Sequence, residues 1–99
     1  MITHIVSWKL KAVDDAGRAE SVAAIAAALE PLAQSIPGIR SLVVRPNVVR
    51  NEVNWDVVLV GDYDSVAALD AYQVHPEHVA AAAIVRQHTT ERATVDFES

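Results

Sequence analysis

The run Val57-Val58-Leu59-Val60, near the middle of the chain, is apolar at every position. Successive side chains of a β-strand point to opposite faces, so this strand would be hydrophobic on both of its faces. Leu42-Val43-Val44 has the same character. Strands of this kind need an apolar cover on both sides of their sheet. The two runs therefore predict a sheet that is covered by helices on one face and by a second protein surface on the other.

Hydrophobic periodicity predicts the remaining elements on either side of this run. Alternation indicates strands over residues 2–11, 39–49, 55–61 and 89–98, with Pro46 interrupting the second. Apolar residues at three- and four-residue steps predict one helix from Asp14 or Asp15 to Ile36, bent at Pro31. Shorter helices are expected over about 64–72 and 76–87.

The order strand, helix, strand, strand, helix, strand defines the expected architecture. With right-handed crossovers it gives an α+β fold, a ferredoxin-like βαββαβ sandwich with a four-stranded antiparallel sheet and helices on one face. We expect residues 1–99 to form a single domain. Because two helical segments can cover only one face of the sheet, the simplest cover for the other face is a second copy of the chain. The expected assembly is therefore a homodimer that pairs through the open sheet face.

Composition narrows the class of partner. The formal net charge is -5, and the eight Lys and Arg residues are scattered singly, so no basic stripe is available for nucleic acid. Cysteine is absent, which excludes disulfides and thiol chemistry. The apolar run 79–85 is too short to span a membrane, and the N-terminal residues do not resemble a signal peptide. We expect a cytoplasmic protein that binds neither nucleic acid nor membrane.

The stretch Tyr72-Gln73-Val74-His75-Pro76-Glu77-His78 holds two of the four histidines and one of the two tyrosines. Pro76 suits the first position of a helix, where its missing N–H costs no hydrogen bond. His75 would then be the cap residue, and His78 would fall in the first turn. The pattern fits either a small acid/base site, with His75 among its ligand-binding residues, or a capping device, and it mildly favours the site.

The topology brings further polar side chains toward this stretch. Strands one and four are antiparallel neighbours, so His4 near the start of one lies beside Asp96 near the end of the other. The crossover that carries Tyr72 and His78 begins at the same end of the sheet. We predict that these four side chains gather at one site, with Val6 and Trp8 beside His4 as its apolar wall. Each also has a structural alternative: a satisfied core histidine, a packed tyrosine, a cap or a polar strand end.

A metal site is the less favoured interpretation of the same residues. His75, Glu77, His78 and Asp96 could supply nitrogen and oxygen ligands. A capping histidine and a first-turn histidine do not share a helix face, and no thiolate or second histidine pair reinforces the set. We expect no metal and no cofactor.

Motifs along the whole chain resemble those of the stress-responsive A/B barrel (Dabb) domain family. They are the opening Thr-His-Ile-Val of residues 3–6, the Ile36-Pro37-Gly38-Ile39 turn, the helix Asp64-Ser65-x-x-x-Leu69-x-x-Tyr72, the step His75-Pro76-x-His78 and the closing Asp96-Phe97. The resemblance implies a dimeric α+β barrel in which two sheets pack face to face with the helices outside.

The resemblance also implies site roles, by comparison with cofactor-free polyketide cyclases of this family. His78 would be the base, Asp96 its supporting carboxylate, Tyr72 a hydrogen-bond donor to the substrate carbonyl and His4 a pocket residue. The resemblance also places Val57 and, approximately, Ala26 where those cyclases have polar pocket residues, so the substrate is expected to differ. Two hypotheses follow: a cofactor-independent lyase, cyclase or isomerase that acts on a small apolar carbonyl or polyketide-like ligand, or a non-catalytic barrel that binds such a ligand or serves in assembly.

Overall fold

A computed structural model describes all 99 residues, Met1–Ser99. The elements, in chain order, are β1 (Ile2–Leu10), α1 (Asp15–Leu29), α2 (Leu32–Ser35), β2 (Ile39–Pro46), β3 (Val57–Tyr63), α3 (Val66–Val74), α4 (Pro76–His88) and β4 (Thr89–Glu98). The four strands form one antiparallel sheet in the order β2-β3-β1-β4. The helices cover one face, so the predicted ferredoxin-like βαββαβ sandwich is confirmed.

The helix boundaries follow from local chemistry. Asp14 caps α1 by accepting a hydrogen bond from the Gly17 N–H at 2.7 Å. Ser65 caps α3 in the same way, with the Ala68 N–H 3.1 Å from its hydroxyl oxygen. Gly38 ends the turn before β2 with a φ of 86°, and a Cβ there would lie 2.7 Å from the Cβ of Ala68. Glycine is therefore required at this turn for both conformation and space.

The prediction of one bent helix up to Ile36 is wrong. α1 ends at Leu29, and a separate four-residue helix, α2, begins at Leu32. Pro31 has no N–H to continue the hydrogen-bond ladder, and the N–H groups of Ala33 and Gln34 donate to carbonyls only three residues back. The apolar side chains keep their inward direction across the break, which is why their periodicity suggested a continuous helix.

The core lies between the helices and the sheet, and β1 shows how alternation builds it. His4, Val6, Trp8 and Leu10 all face the helices and are buried. The residues between them face the other side and are only half-buried. The edge strand β4 is almost wholly exposed.

The open face of the sheet carries an apolar row that crosses all four strands. Val43 pairs with Val60, Val60 with Ile5, and Ile5 with Val95. Val95 is 64% exposed and Phe97, on the same face of β4, is 44% exposed. The two-sided apolar character of the central strands is therefore present, and the single chain leaves one side uncovered. None of the four helices combines the length and the apolar character that a bilayer-spanning segment needs.

Candidate active site

A cleft of about 240 Å³ opens between the helix layer and the edge of the sheet near β4. Five of the predicted site residues line it, namely His4, Val6, Trp8, Tyr72 and His78. The wall is completed by Leu29, Leu59, Ala82, Val85, Arg86 and Arg92. The cleft is thus mainly apolar, with a few polar groups that converge on it, which is the composition of small-molecule sites.

His78 is held in one orientation by the backbone. Its Nδ1 lies 3.1 Å from the carbonyl oxygen of Gln73, and because a carbonyl can only accept, Nδ1 carries the proton. In the neutral ring, Nε2 is therefore the lone-pair atom, and it has no partner within the chain. Burial lowers the pKa of His78; the Gln73 hydrogen bond opposes this, and the positive charges of Arg92 and Arg86 add to the lowering. At neutral pH the ring is unprotonated and able to accept a proton.

Tyr72 packs against His78, with their ring centroids 4.2 Å apart. Its ring lines the cleft, but its hydroxyl is buried and has no hydrogen-bond partner in the chain. Burial raises the pKa of Tyr72, while the neighbouring Tyr63 hydroxyl and the Arg92 charge lower it in part. The phenol is therefore neutral, and the Tyr63 hydroxyl is a polar neighbour of it.

Tyr63 was not among the predicted site residues, although it is fully buried and shapes the back of the site. Its ring centroid lies 5.1 Å from that of Tyr72 and 5.9 Å from that of His4. Its hydroxyl also lacks a partner, and burial raises its pKa. The ring lies over Gly61, where a Cβ would come within 2.8 Å of Tyr63 Cε1. A glycine two residues before an aromatic residue on a strand was the sequence signal for this arrangement.

Asp96 pairs with His4, not with His78. The Nδ1 atom of His4 hydrogen-bonds an Asp96 carboxylate oxygen directly across the β1–β4 ladder, where the two residues are opposite each other. The prediction that Asp96 would support His78 is therefore corrected, since the Gln73 carbonyl occupies that position on His78. The expected approach of His4 and Asp96 at this end of the sheet is confirmed.

Two further predicted ligand-binding residues lie outside the cleft wall. His75 caps α4, with its Nδ1 accepting the Glu77 N–H at 3.1 Å, and it is not part of the lining. Val57 is buried in the core opposite Trp8 and does not reach the cleft either.

Two arginines complete the lining and were missed in the sequence. His78, Ala82 and Arg86 follow each other at four-residue steps, so they share one face of α4. That spacing could have identified Arg86. Arg92 enters the cleft because it pairs with Trp8 in the β1–β4 ladder and so shares the helix-facing side of the sheet. Only the strand register establishes this neighbour.

The chain was compared with known proteins. The model of the stress-responsive A/B barrel domain matches residues 2–99. A dimeric protein of unknown function and ferredoxin-like fold from Bacteroides fragilis is 32% identical, with a TM-score of 0.86 and coverage of 99% of this chain and 95% of that one. A dimeric ferredoxin-like protein of unknown function from Thermobifida fusca is 26% identical, with a TM-score of 0.75 and coverage of 97% and 88%.

A third solved structure is similar in fold alone. It is the hydroxynitrile lyase from Passiflora edulis, 13% identical, with a TM-score of 0.78 and coverage of 97% of this chain and 90% of that one. No curated protein sequence matches the chain. Because the family model spans nearly every residue and the fold agrees with that of dimeric relatives, this chain belongs to the stress-responsive A/B barrel (Dabb) domain family.

Proposed function

We propose that this protein is a cofactor-independent enzyme that removes a proton from the carbon next to a carbonyl group of a small ligand. The observation that carries the proposal is the state of His78. Its ring is oriented by the Gln73 carbonyl, its Nε2 is unpartnered, and it borders a cleft of about 240 Å³. A positioned, neutral imidazole beside an apolar cleft is suited to general-base catalysis.

The chemical step is a proton transfer. His78 Nε2 takes the proton, the electron pair of the broken C–H bond becomes the carbon–carbon π bond of an enolate, and the carbonyl π pair moves onto oxygen. Return of the proton to another atom would complete an isomerisation. Attack of the enolate on a second carbonyl would complete a cyclisation, and expulsion of a leaving group would complete a lyase reaction.

The remaining polar groups would assist this step. The ring of Tyr72 would hold the base against the cleft wall, whereas its buried hydroxyl would donate to the enolate oxygen only after a local movement that exposes it. Asp96 would orient His4 through its hydrogen bond with Nδ1, so that Nε2 of His4 points away from the carboxylate. Val6 and Trp8 would contact the apolar part of the ligand and exclude water.

Deuterium incorporation tests the proposal. Small ketones and keto acids are incubated with the protein in D2O, and loss of the C–H signals next to the carbonyl is followed by proton NMR. We expect exchange above the buffer rate for at least one probe. His78→Asn should abolish it, because the Asn amide can still donate to Gln73 but offers no base.

His75→Asn is the matched control, because it also removes an imidazole yet retains a capping oxygen at α4. It should exchange at the wild-type rate. If no probe exchanges and His78→Asn only lowers the melting temperature, His78 serves to close the α3–α4 turn and the proposal fails. The protein would then be a non-catalytic barrel.

We also infer that the active form is a homodimer paired through the open face of the sheet. The apolar row from Val43 to Val95 lies on that face, and its exposure to water is energetically unfavourable. The two relatives from Bacteroides fragilis and Thermobifida fusca, at 32% and 26% identity, are both described as dimeric. The cleft lies on the helix side of the sheet, so pairing through the opposite side would leave it open.

A further inference from the structure

The two arginines of the cleft differ from every other arginine of the chain. Arg18, Arg40, Arg45 and Arg50 each pair with a carboxylate at 2.6 to 3.5 Å. Arg86 and Arg92, by contrast, make no ion pair and no side-chain hydrogen bond within the chain. The unpaired guanidinium groups are therefore the two that border the cleft.

The absence of an ion pair at Arg86 and Arg92 is unexpected, given the charge balance of the chain. The chain has 13 acidic residues for eight Lys and Arg, so a random arginine should find a carboxylate easily. Arg86 and Arg92 come from different elements, α4 and β4, yet both line the same cleft as His78. Both are also close enough to lower the pKa of His78. The cleft mouth is a local positive region on an acidic protein.

We propose that the ligand of this cleft is a small keto acid, whose carboxylate is bound by Arg86 and Arg92. The proposal rests on the proposed function for the carbonyl and extends it to the charge of the substrate. Guanidinium groups present planar, paired donors that match the two oxygens of a carboxylate. The carboxylate at the mouth would orient the carbonyl end of the ligand inward, toward His78 and the apolar wall formed by Val6 and Trp8.

The size of the cleft limits the ligand. A cleft of about 240 Å³ lies just below the roughly 300–1,000 Å³ of the pockets that hold drug-sized ligands, so a small ligand is appropriate. Pyruvate, acetoacetate and levulinate are suitably small. Each has a C–H next to a ketone, and each has a methyl ester that keeps the ketone but removes the negative charge. The acid and its ester therefore form a matched pair of probes.

Binding of the three acids and their methyl esters, and of inorganic phosphate, is measured by titration calorimetry on the full-length protein. At least one acid should bind at least tenfold more tightly than its ester, about 1.4 kcal/mol. Arg86→Gln and Arg92→Gln should each weaken that acid about tenfold and leave the ester unchanged. Arg40→Gln removes the same charge from the Arg40–Asp64 pair outside the cleft and should change neither. Raising the salt concentration should weaken the acid alone.

The proposal is overturned if each ester binds as tightly as its acid, if no acid binds, or if phosphate binds more tightly than every acid. It is also overturned if Arg40→Gln weakens the acid as much as the cleft variants do. Failure of the proposed function is a separate result. A keto acid that binds through Arg86 and Arg92 but shows no deuterium exchange would refute catalysis and retain the anion site. Exchange of neutral ketones without tighter binding of the acids would refute the anion site and retain catalysis.

Discussion

His78 illustrates how neighbouring groups set the chemistry of a single residue. The Gln73 carbonyl fixes which ring nitrogen is protonated, and Tyr72 packs against the ring. Burial and the positive charges of Arg92 and Arg86 make the protonated form less favourable. The result is a histidine whose unprotonated form, the base, is favoured relative to a free imidazole. The His4 ring, by contrast, is oriented by a carboxylate, so the two histidines of the cleft have different environments.

The pH dependence of exchange should reflect the lowered pKa of His78. Because the unprotonated ring is the base, the rate should rise with pH through a midpoint below the ordinary value of 6.5 and stay level above it. Arg92→Gln removes a positive neighbour and should move the midpoint to higher pH. The pH–rate profile and an NMR titration of the His78 ring measure both midpoints. A wild-type midpoint at or above 6.5 would contradict the assignment.

The same shift carries a stability consequence with a definite sign. In the interval between the lowered folded-state pKa and about 6.5, the unfolded chain binds more protons at His78 than the folded chain does. The free energy of unfolding should therefore fall as the pH falls through this interval, and His78→Asn should remove that contribution.

Among the secondary-structure elements, the junction of α3 and α4 links capping to the site. His75 adopts an extended backbone with a φ of -64° and a ψ of 135°, as a residue before proline must, and its side chain accepts the Glu77 N–H. Pro76 then begins α4 without losing a hydrogen bond. This sharp start presents His78 in the first turn, next to the end of α3.

His75→Ala should lower the free energy of unfolding by about 1 kcal/mol, because the first turn of α4 loses a side-chain acceptor. His75→Asn should retain most of the stability, since Asn is a good cap. Urea denaturation measures the difference. Because His75 does not line the cleft, both variants should keep the wild-type affinity for the keto acid. Equal stability of the Ala and Asn variants would show that the cap contributes nothing.

At the scale of the whole molecule, the sheet has two different faces with two different tasks. The helix-facing side forms the core and, at its β4 edge, the cleft. The other side presents the row of Val43, Val60, Ile5 and Val95 without any cover in the single chain. Association of two such faces would bury this apolar surface. The burial would stabilise a domain that is too small to bury a large core on its own.

Val95→Asp should shift the protein from dimer to monomer, because it inserts a charge into the apolar row. Val95 is 64% exposed in the single chain, so the fold itself should tolerate the change. Val13→Asp is the matched control at a position that is 89% exposed outside the sheet. Sedimentation velocity at micromolar concentration distinguishes the two species. A Val95→Asp variant as dimeric as the control would exclude pairing through this face.

The sequence by itself determined the element order, the two faces of each strand and the meeting of His4 with Asp96, because alternation and antiparallel topology are local patterns with one consistent assembly. It also placed His78 in the first turn of a helix after Tyr72, since Pro76 and the spacing leave little choice. The tertiary structure alone decided that Asp96 bonds His4 and not His78, that Tyr63 forms the back of the site, and that Arg92 enters the cleft. These contacts depend on strand register and on the distances between packed layers. Residues that lie far apart in the chain determine both the strand register and these distances, so no local periodicity in the sequence predicts the contacts.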